Sequence, residues 1–398
     1  MAKSRITALD GAHAVAEAMR QINPDVVAAY PITPQTAIVQ TFSNFVADGL
    51  VDTEFVAVES EHAAMSTCIG ASAAGGRVMT ATASAGLALM WEVVYIAASL
   101  HLPIVMPVVN RALSAPLNIH CDHSDSMGTR DAGWIQLYSE NPQEAYDNVI
   151  QAVRIAERLL LPVMVMQDGF ITGHGVERVE VLDDGAVKGF IGEYKPAHSL
   201  LDVDNPATYG SWDMYDFYFE HKRQQTDKLS QAMPVIVEVG QEYGELTGRK
   251  YGIFETHGMD DAEMAIIVLS SASGTARMVV RGLREKGVKI GLIKPRVFRP
   301  FPAQEFAEAL ADVKAVGVLD RSIVFGAMDG DGPGPLYLEL CAALFAAGNT
   351  TTKVADYIFG LGGRDIVPAH IEQVAQDLAE IAETGEVKTP VNYLGLRE

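Results

Sequence analysis

Short apolar runs recur along most of this chain. Each is closed by a polar or glycine-bearing loop and followed by a longer stretch of helical period. This alternation constrains the fold more than any single residue does. Strands apolar throughout must be covered on both faces, and helices crossing between them do the covering. The runs Val26–Tyr30, Glu54–Val58, Val78–Ala81, Ile104–Val109 and Pro162–Gln167 read as strands. Residues 8–22, 36–48, 62–74, 87–100 and 142–159 read as helices; in the first, Ala12, Val15, Ala16, Ala18 and Met19 share a face. The expectation is a doubly wound α/β domain with a parallel sheet.

The pattern weakens from Thr172 to Glu255. Prolines, glycines and an aromatic cluster at Tyr215–Phe219 mark a long excursion and linker there, with a helix from His221 to Met233 and beyond. Alternation resumes near Asp261, with strands expected at 265–269, 289–293, 315–320 and 353–359, and helices at 273–286, 303–311, 334–347 and 371–383. The expected organisation is one domain over residues 1–235, including the start of the excursion, and a smaller α/β domain over 256–390.

Composition excludes several classes of partner. With 30 basic against 51 acidic residues, the net charge is −21, which repels phosphate backbones and anionic lipid. The apolar stretch Gly86–Val109 is long enough to raise a membrane span, but it contains Glu92, His101 and Pro103. A helix ending near Leu100 and then a buried strand satisfies it better. The three cysteines, Cys68, Cys121 and Cys341, are too few for an iron–sulfur cluster and are not spaced as metal ligands. Sparse thiols and an N-terminal stretch without a signal-peptide apolar block suggest a cytoplasmic protein.

Ligands of open parallel sheets bind beyond the carboxyl ends of the strands. The loops Pro31–Thr36, Glu59–Glu61, Thr82–Gly86 and Asn110–Thr129 all follow strands and so gather on one edge. Pro31 and Pro34 stiffen the first loop around the Thr33 hydroxyl, which can face a substrate carboxylate or carbonyl, or else cap the helix, as can Thr36. Glu61 opens a helix, where the helix dipole favours an acid; the other role is a carboxylate for a cofactor ring nitrogen. Arg111, after a buried strand, needs either a nearby Asp or an oxoacid carboxylate in its fork. Pro31, Ile32 and Ser84 join the candidate cofactor contacts, and Asp122 and His123 the candidate substrate contacts. The cluster His120, Asp122, His123 and Asp125 resembles a metal site, but a polar active-site loop is preferred and no metal is assigned. Cys121 is either redox-reactive or inert. Gly330-Asp331-Gly332 imitates the magnesium–diphosphate motif of thiamine enzymes. The next asparagine, Asn349, follows too soon, and the tripeptide runs into the turn-rich Gly332-Pro333-Gly334-Pro335.

Several motifs then occur in an order that resembles the α subunit of pyruvate:ferredoxin oxidoreductase, within the 2-oxoacid:ferredoxin oxidoreductase family. They are Tyr30-Pro31-Ile32-Thr33-Pro34, Val58-Glu59-Ser60-Glu61-His62, Asn110-Arg111-Ala112-Leu113-Ser114-Ala115-Pro116, and Asp122 to Met127. Arg130 to Gln136, Asp168-Gly169-Phe170, Ile293 to Phe301 and Leu319-Asp320-Arg321 follow. The resemblance implies a pyrimidine-type thiamine diphosphate-binding domain and a transketolase C-terminal-like domain. It implies that a β subunit supplies the Mg2+ and diphosphate site, that [4Fe-4S] clusters lie on partner subunits including δ, that a γ subunit completes the enzyme, and that ferredoxin or a similar carrier takes the electrons. By the same resemblance Glu61 matches the glutamate on the aminopyrimidine N1′, which promotes deprotonation of the thiazolium carbon. Thr33 and Arg111 match the residues holding the oxoacid. The implied reaction is CoA-acylating oxidative decarboxylation of pyruvate, or its reverse. The alternatives are another oxoacid, such as phenylglyoxylate or a branched-chain one, and a non-catalytic assembly or electron-carrier docking subunit.

Overall fold

The computed structural model describes residues 2–328 and 330–397. The chain opens with strand β1 (Ser4–Leu9) and helix α1 (Gly11–Ile22). Then come β2 (Val26–Ala29), α2 (Thr36–Ala47), β3 (Glu54–Ala57), α3 (Glu61–Ala73), β4 (Val78–Met79), α4 (Ser84–Leu89) and α5 (Trp91–Ser99). β5 (Val105–Asn110), the short α6 (Ser124–Gly128), β6 (Ile135–Ser139), α7 (Pro142–Leu159) and β7 (Val163–Asp168) follow. The excursion holds β8 (Glu177–Leu182), α8 (Asp184–Ile191), α9 (Tyr218–Ser230) and α10 (Ala232–Thr247). The second unit comprises β9 (Phe254–His257), β10 (Met264–Val268), α11 (Ala272–Glu285), β11 (Ile290–Pro295), β12 (Val297–Arg299) and α12 (Ala303–Ala309). It ends with β13 (Ala315–Asp320), α13 (Pro335–Ala346), β14 (Lys353–Ile358), a 3-10 turn at Leu361–Gly363, α14 (Pro368–Thr384) and β15 (Val391–Tyr393).

Two mixed, mostly parallel sheets result. The first has the order β12-β6-β7-β5-β4-β2-β3 and the second β15-β14-β13-β10-β11-β9. Within these two sheets, among the described residues, β12 and β9 run antiparallel to their neighbours. The apolar runs of β5 and β7 are buried at every position, which suits strands covered on both faces. In the first sheet β2 leads outward to β3, and β4 then lies on the other side of β2. The order therefore reverses between β2 and β4, which opens a crevice at their carboxyl ends.

Helix ends follow local chemistry. Asp10 caps α1 by accepting from the His13 amide at 2.8 Å, so the helix starts at Gly11 and not at residue 8 as the periodicity suggests. Residues 4–9 form β1 instead, whose ladder runs antiparallel to β8, from Ser4–Leu182 to Leu9–Glu177. The expected helix 87–100 is two helices meeting at Met90, with the first beginning earlier, at Ser84. Among the described residues no helix is long and apolar enough to cross a membrane. The excursion is not a separate core, yet both its ends belong to the first one. Val179 and Val181 of β8 and Ile236, Val239 and Tyr243 of α10 are buried in the same cluster as Val149 and Ile150 of α7. Its middle leaves Trp212 and Tyr215 about as exposed as in an open chain, each at 90%.

The two sheets share a core. Met65, Leu87, Trp134 and Tyr138 of the first unit are continuous with Ile293, Phe298 and Phe306 of the second. β12 carries Phe298 back to the first sheet, where Val297 pairs with Leu137. Burying that one ring contributes about 2–3 kcal/mol. The junction adds β12 to the β6 edge of the first sheet and so fixes the second unit to it.

Candidate functional site

The edge loops after β2, β3, β4 and β5 meet at the crevice. The β2 loop is held from below by Gln35, which is fully buried. Its Nε2 donates to the Ala81 carbonyl at 2.8 Å and its Oε1 accepts from the Ile32 amide at 3.2 Å. Pro31 and Thr33 are thereby left exposed and Ile32 half-buried. Neither threonine caps α2: its N-terminal boundary residue is Gln35, with no side-chain cap. The Thr33 hydroxyl is therefore not committed to the helix.

Glu61 is the first residue of α3, capped by the Ser60 hydroxyl, which accepts from the Ala63 amide at 3.1 Å. Its side chain is 6% exposed. Among the described residues it has no hydrogen-bond or ion-pair partner. It lies against Gly86, where an added Cβ would stand 2.7 Å from Glu61 Oε1 and 2.6 Å from Thr82 Oγ1. The Thr82 hydroxyl is likewise buried and unpartnered. Leaving the buried Thr82 hydroxyl unsatisfied is costly unless a ligand completes it.

Arg111 follows β5 and is 8% exposed. Its Nη1 donates to the Thr33 carbonyl at 2.9 Å and its Nε to the Asn118 carbonyl at 3.1 Å. The structural ion pair weighed for it does not form: among the described residues no carboxylate meets this guanidinium. Neutral carbonyls orient it and leave its charge unbalanced. Thr33 and Arg111 thus stand together, and Glu61 lies on the neighbouring strand end.

Asp125 ties these loops to one another. It accepts from the Ser84 amide at 2.9 Å, the Arg111 amide at 3.0 Å, Asn110 Nδ2 at 2.8 Å and its neighbour Ser126 at 2.7 Å. Burial pushes its carboxyl up to about 6, against the pull of those donors. Ser84 sits at φ +46, a left-handed conformation that costs about 1 kcal/mol or more for a residue with a Cβ. Two bonds hold it there: its amide to Asp125, and its hydroxyl to the Ala112 carbonyl at 2.6 Å. Ser84 is fully buried and has no free hydroxyl; it sets the shape of the turn.

The structure commits Asp122 and His123 elsewhere, so direct substrate contact is not what their geometry provides. Asp122 Oδ1 accepts from the Ser124 amide at 3.0 Å, while Oδ2 accepts from Gly362 at 3.3 Å. His123, 2% exposed, points its Nε2 at Asp168 Oδ1 at 2.8 Å. Arg321 Nη1 reaches the other oxygen at 2.9 Å, and the Ser271 amide and hydroxyl, at the start of α11, also donate to it. Burial alone would raise Asp168, but His123 and Arg321 outweigh it and hold its carboxyl well below the usual range. Asp168, Arg321 and Ser271 bind the second unit to the first. Sequence reasoning quoted Asp168 and Arg321 within motifs but gave neither a role; a buried Asp ending an apolar strand is the signal that marks such a hub.

The residues of the supposed metal cluster are dispersed. His120 packs tilted against Phe170, ring centroids 5.0 Å apart, and Asp125 turns to backbone amides. Cys121 lies near His123 and Asp168 instead, but His123 and Asp168 already bond each other and Arg321. Cys121 is fully buried, and that burial pushes its thiol well above its ordinary value, away from the reactive thiolate. Gly330-Asp331-Gly332 is a loop, with Gly330 at φ +80 and Asp331 bridged to Met328; Asn349 binds Thr352 in a turn of its own.

Comparisons with known proteins give the family and the fold. Residues 17–241 match the family described as pyruvate flavodoxin/ferredoxin oxidoreductase, thiamine diphosphate-binding. Residues 262–371 match pyruvate:ferredoxin oxidoreductase core domain II. Pyruvate synthase subunit PorA of Thermotoga maritima is 54% identical over 394 residues, 98% of either chain. That of Methanocaldococcus jannaschii is 44% identical over 383 residues, 94% of this chain and 96% of its own. Ketoisovalerate oxidoreductase subunit VorA of Pyrococcus abyssi is 40% identical over 390 residues, 98% of this chain and 97% of its own. Among solved structures, a 2-oxoglutarate:ferredoxin oxidoreductase from Magnetococcus marinus, with 2-oxoglutarate, coenzyme A and succinyl-CoA bound, superposes with a TM-score of 0.71 at 19% identity. The match covers 95% of this chain but 65% of that one. A split-gene transketolase, as an inactive beta4 tetramer, gives 0.54 at 13% identity, covering 94% of this chain and 97% of that one. At those identities the two structures speak for the fold.

Proposed function

The chain belongs to the pyruvate flavodoxin/ferredoxin oxidoreductase family, as a 2-oxoacid oxidoreductase subunit, and we propose that pyruvate is its oxoacid and Glu61, Thr33 and Arg111 its share of the active site. The reaction is oxidative decarboxylation of pyruvate with coenzyme A to acetyl-CoA and CO2, two electrons leaving for ferredoxin or a similar carrier, or the reverse. One observation carries this reading: at neighbouring strand ends bordering the crevice where the sheet order reverses stand a guanidinium and a carboxylate that, among the described residues, have no charged partner.

The residues present fit the pyrimidine end of thiamine diphosphate. Glu61 offers a buried acceptor, Thr82 an unpartnered hydroxyl and Gly86 a surface bare of side chain. Pro31, Ile32 and the Ser84 turn line the same crevice edge. When bound, that cofactor supplies the carbon nucleophile and electron sink that a 2-oxoacid requires. Glu61 would hold a proton at a ring nitrogen of that cofactor. Arg111 takes the oxoacid carboxylate through its free N–H groups, and Thr33 donates its hydroxyl to the carboxylate or carbonyl. Asp125 keeps these loops in register, and Asp122 and His123 support them from behind. Partner subunits of the β, γ and δ kind provide the Mg2+ and diphosphate site and the [4Fe-4S] clusters, in a cytoplasmic complex.

A branched-chain oxoacid is the second reading, supported by the identity to a ketoisovalerate oxidoreductase subunit. The native complex decides. Coenzyme A-dependent reduction of a viologen dye should be fastest with pyruvate in a panel of 2-oxoacids. A preference for 2-oxoisovalerate would shift the substrate, and no reduction with any oxoacid would remove the assignment.

A further inference from the structure

Arg111 is held at two points, and only one of them belongs to the crevice. The Asn118 carbonyl that accepts from its Nε lies on the loop leaving β5 toward the second unit. The Asn118 side chain donates to the Gly362 carbonyl at 2.9 Å, and the Gly362 amide returns a bond to Asp122 at 3.3 Å. The segment from Asn118 to Asp122 is thus closed at both ends onto one residue of the second unit, and Arg111 Nε is tied to its first residue. Gly360, Gly362 and Gly363 have φ of +65, +61 and +83, a region that side-chain-bearing residues rarely adopt. Contact excludes a side chain as well. A Cβ on Gly362 would stand 2.3 Å from Asn118 Nδ2, and one on Gly363 2.3 Å from His120 Cβ. One on Gly360 would stand 2.7 Å from Nε of Arg321, which itself donates to the Gly360 carbonyl at 3.2 Å.

We propose that the Gly360-Leu361-Gly362-Gly363 loop of the second unit is a positioning clamp that, through Asn118, sets the Arg111 guanidinium for the oxoacid carboxylate. It rests on the reading that Arg111 takes that carboxylate. The second unit thereby governs substrate affinity without lining the crevice. Neither Asn118 nor Gly362 is a catalytic residue; both act through Arg111.

The test uses the assembled complex. Asn118→Ala removes a half-buried side chain and leaves the backbone carbonyl free to drift. The KM for the oxoacid should rise about tenfold while kcat stays within about twofold. Gly362→Ala should act in the same direction and more strongly. Hydrogen exchange of the amides from residues 111 to 122 should quicken in both variants, a readout independent of turnover. In an Arg111→Lys background, which lacks the guanidinium Nε–H that Asn118 accepts, Asn118→Ala should add nothing further to KM. An equal increment in that background, or an unchanged KM in a folded Asn118→Ala complex, overturns the clamp while leaving the Arg111 reading intact. An unchanged KM in Arg111→Lys itself overturns the Arg111 reading, and the clamp with it. Should Gly362→Ala fail to assemble, Asn118→Ala decides alone.

Discussion

Two clusters of buried charge sit on the same sheet edge and are built in opposite ways. At the junction of the units, Asp168 meets His123, Arg321 and the start of α11, and both carboxylate oxygens are taken. At the crevice between β2 and β4, Glu61 and Thr82 keep unspent hydrogen-bonding groups, and the Arg111 charge faces only carbonyls. Burial is similar in the two places; satisfaction is not. A fully matched cluster is architecture, since removing one member strands the others. An unmatched cluster on a rigid frame is prepared for something that arrives later. The contrast separates residues that hold the fold from residues that meet a ligand, although both types are buried and charged.

The contrast can be broken by substitution. Asp168→Ala should cost about 3–5 kcal/mol of stability, because it leaves the Arg321 guanidinium buried without a counter-charge and His123 Nε2 without its hydrogen-bond partner. Denaturant unfolding of the chain would measure it, and a loss below about 1 kcal/mol would make the junction ordinary surface. Arg111→Ala should leave unfolding nearly unchanged but reduce kcat/KM for the oxoacid by about 30-fold or more, equivalent to about 2 kcal/mol. Steady-state kinetics of the complex decide this. Gly86→Ala suits a helix, yet its methyl would press on Glu61 and Thr82. Turnover should fall about tenfold with folding retained, measured beside a thermal melt.

The smallest effect concerns a third buried cluster, in the second sheet. Asp320 accepts from the Leu336 and Tyr337 amides and Asp356 from the Gly334 amide, all at the start of α13. Burial pushes Asp320 up to about 7, while burial and the neighbouring Asp320 push Asp356 up to about 9. A carboxyl raised in the folded chain retains a proton that the unfolded chain releases. The associated stability is complete below the unfolded value near 3.8 and is lost as pH rises through 7 and 9. Asp356→Asn should flatten that decline between pH 7 and 9 by about 1 kcal/mol per pH unit, read from unfolding curves at each pH.

Much of this was legible in the residues. The fully apolar runs of β5 and β7 and the capped helix α7 identify a parallel α/β frame, because local chemistry alone determines them. What stayed hidden depends on distant partners. β1 is visible only through β8, and β12 only through β6, to which the chain returns from the second unit. The site divides in the same way. Glu61, Thr33 and Arg111 stand at strand ends, where topology directs attention. Asp125 looked like a metal ligand because its four donors, three of them from other loops and strands, do not show in a linear reading. His123 is open to the same misreading, since its partner Asp168 lies 45 residues away. The Gly360–Gly363 loop shows no chemistry in sequence at all; only the close approach of Asn118 and His120 gives its glycines meaning.

The most direct measurement is Glu61→Gln in the assembled complex, assayed for coenzyme A-dependent electron transfer from pyruvate beside an unfolding curve. The amide keeps the size of the side chain and removes its charge. If the unmatched crevice is the site, turnover falls by about 100-fold or more while stability stays within about 0.5 kcal/mol of the parent. Undiminished turnover, with the substitution verified and the complex intact, would contradict the account and leave the chain an assembly or docking subunit.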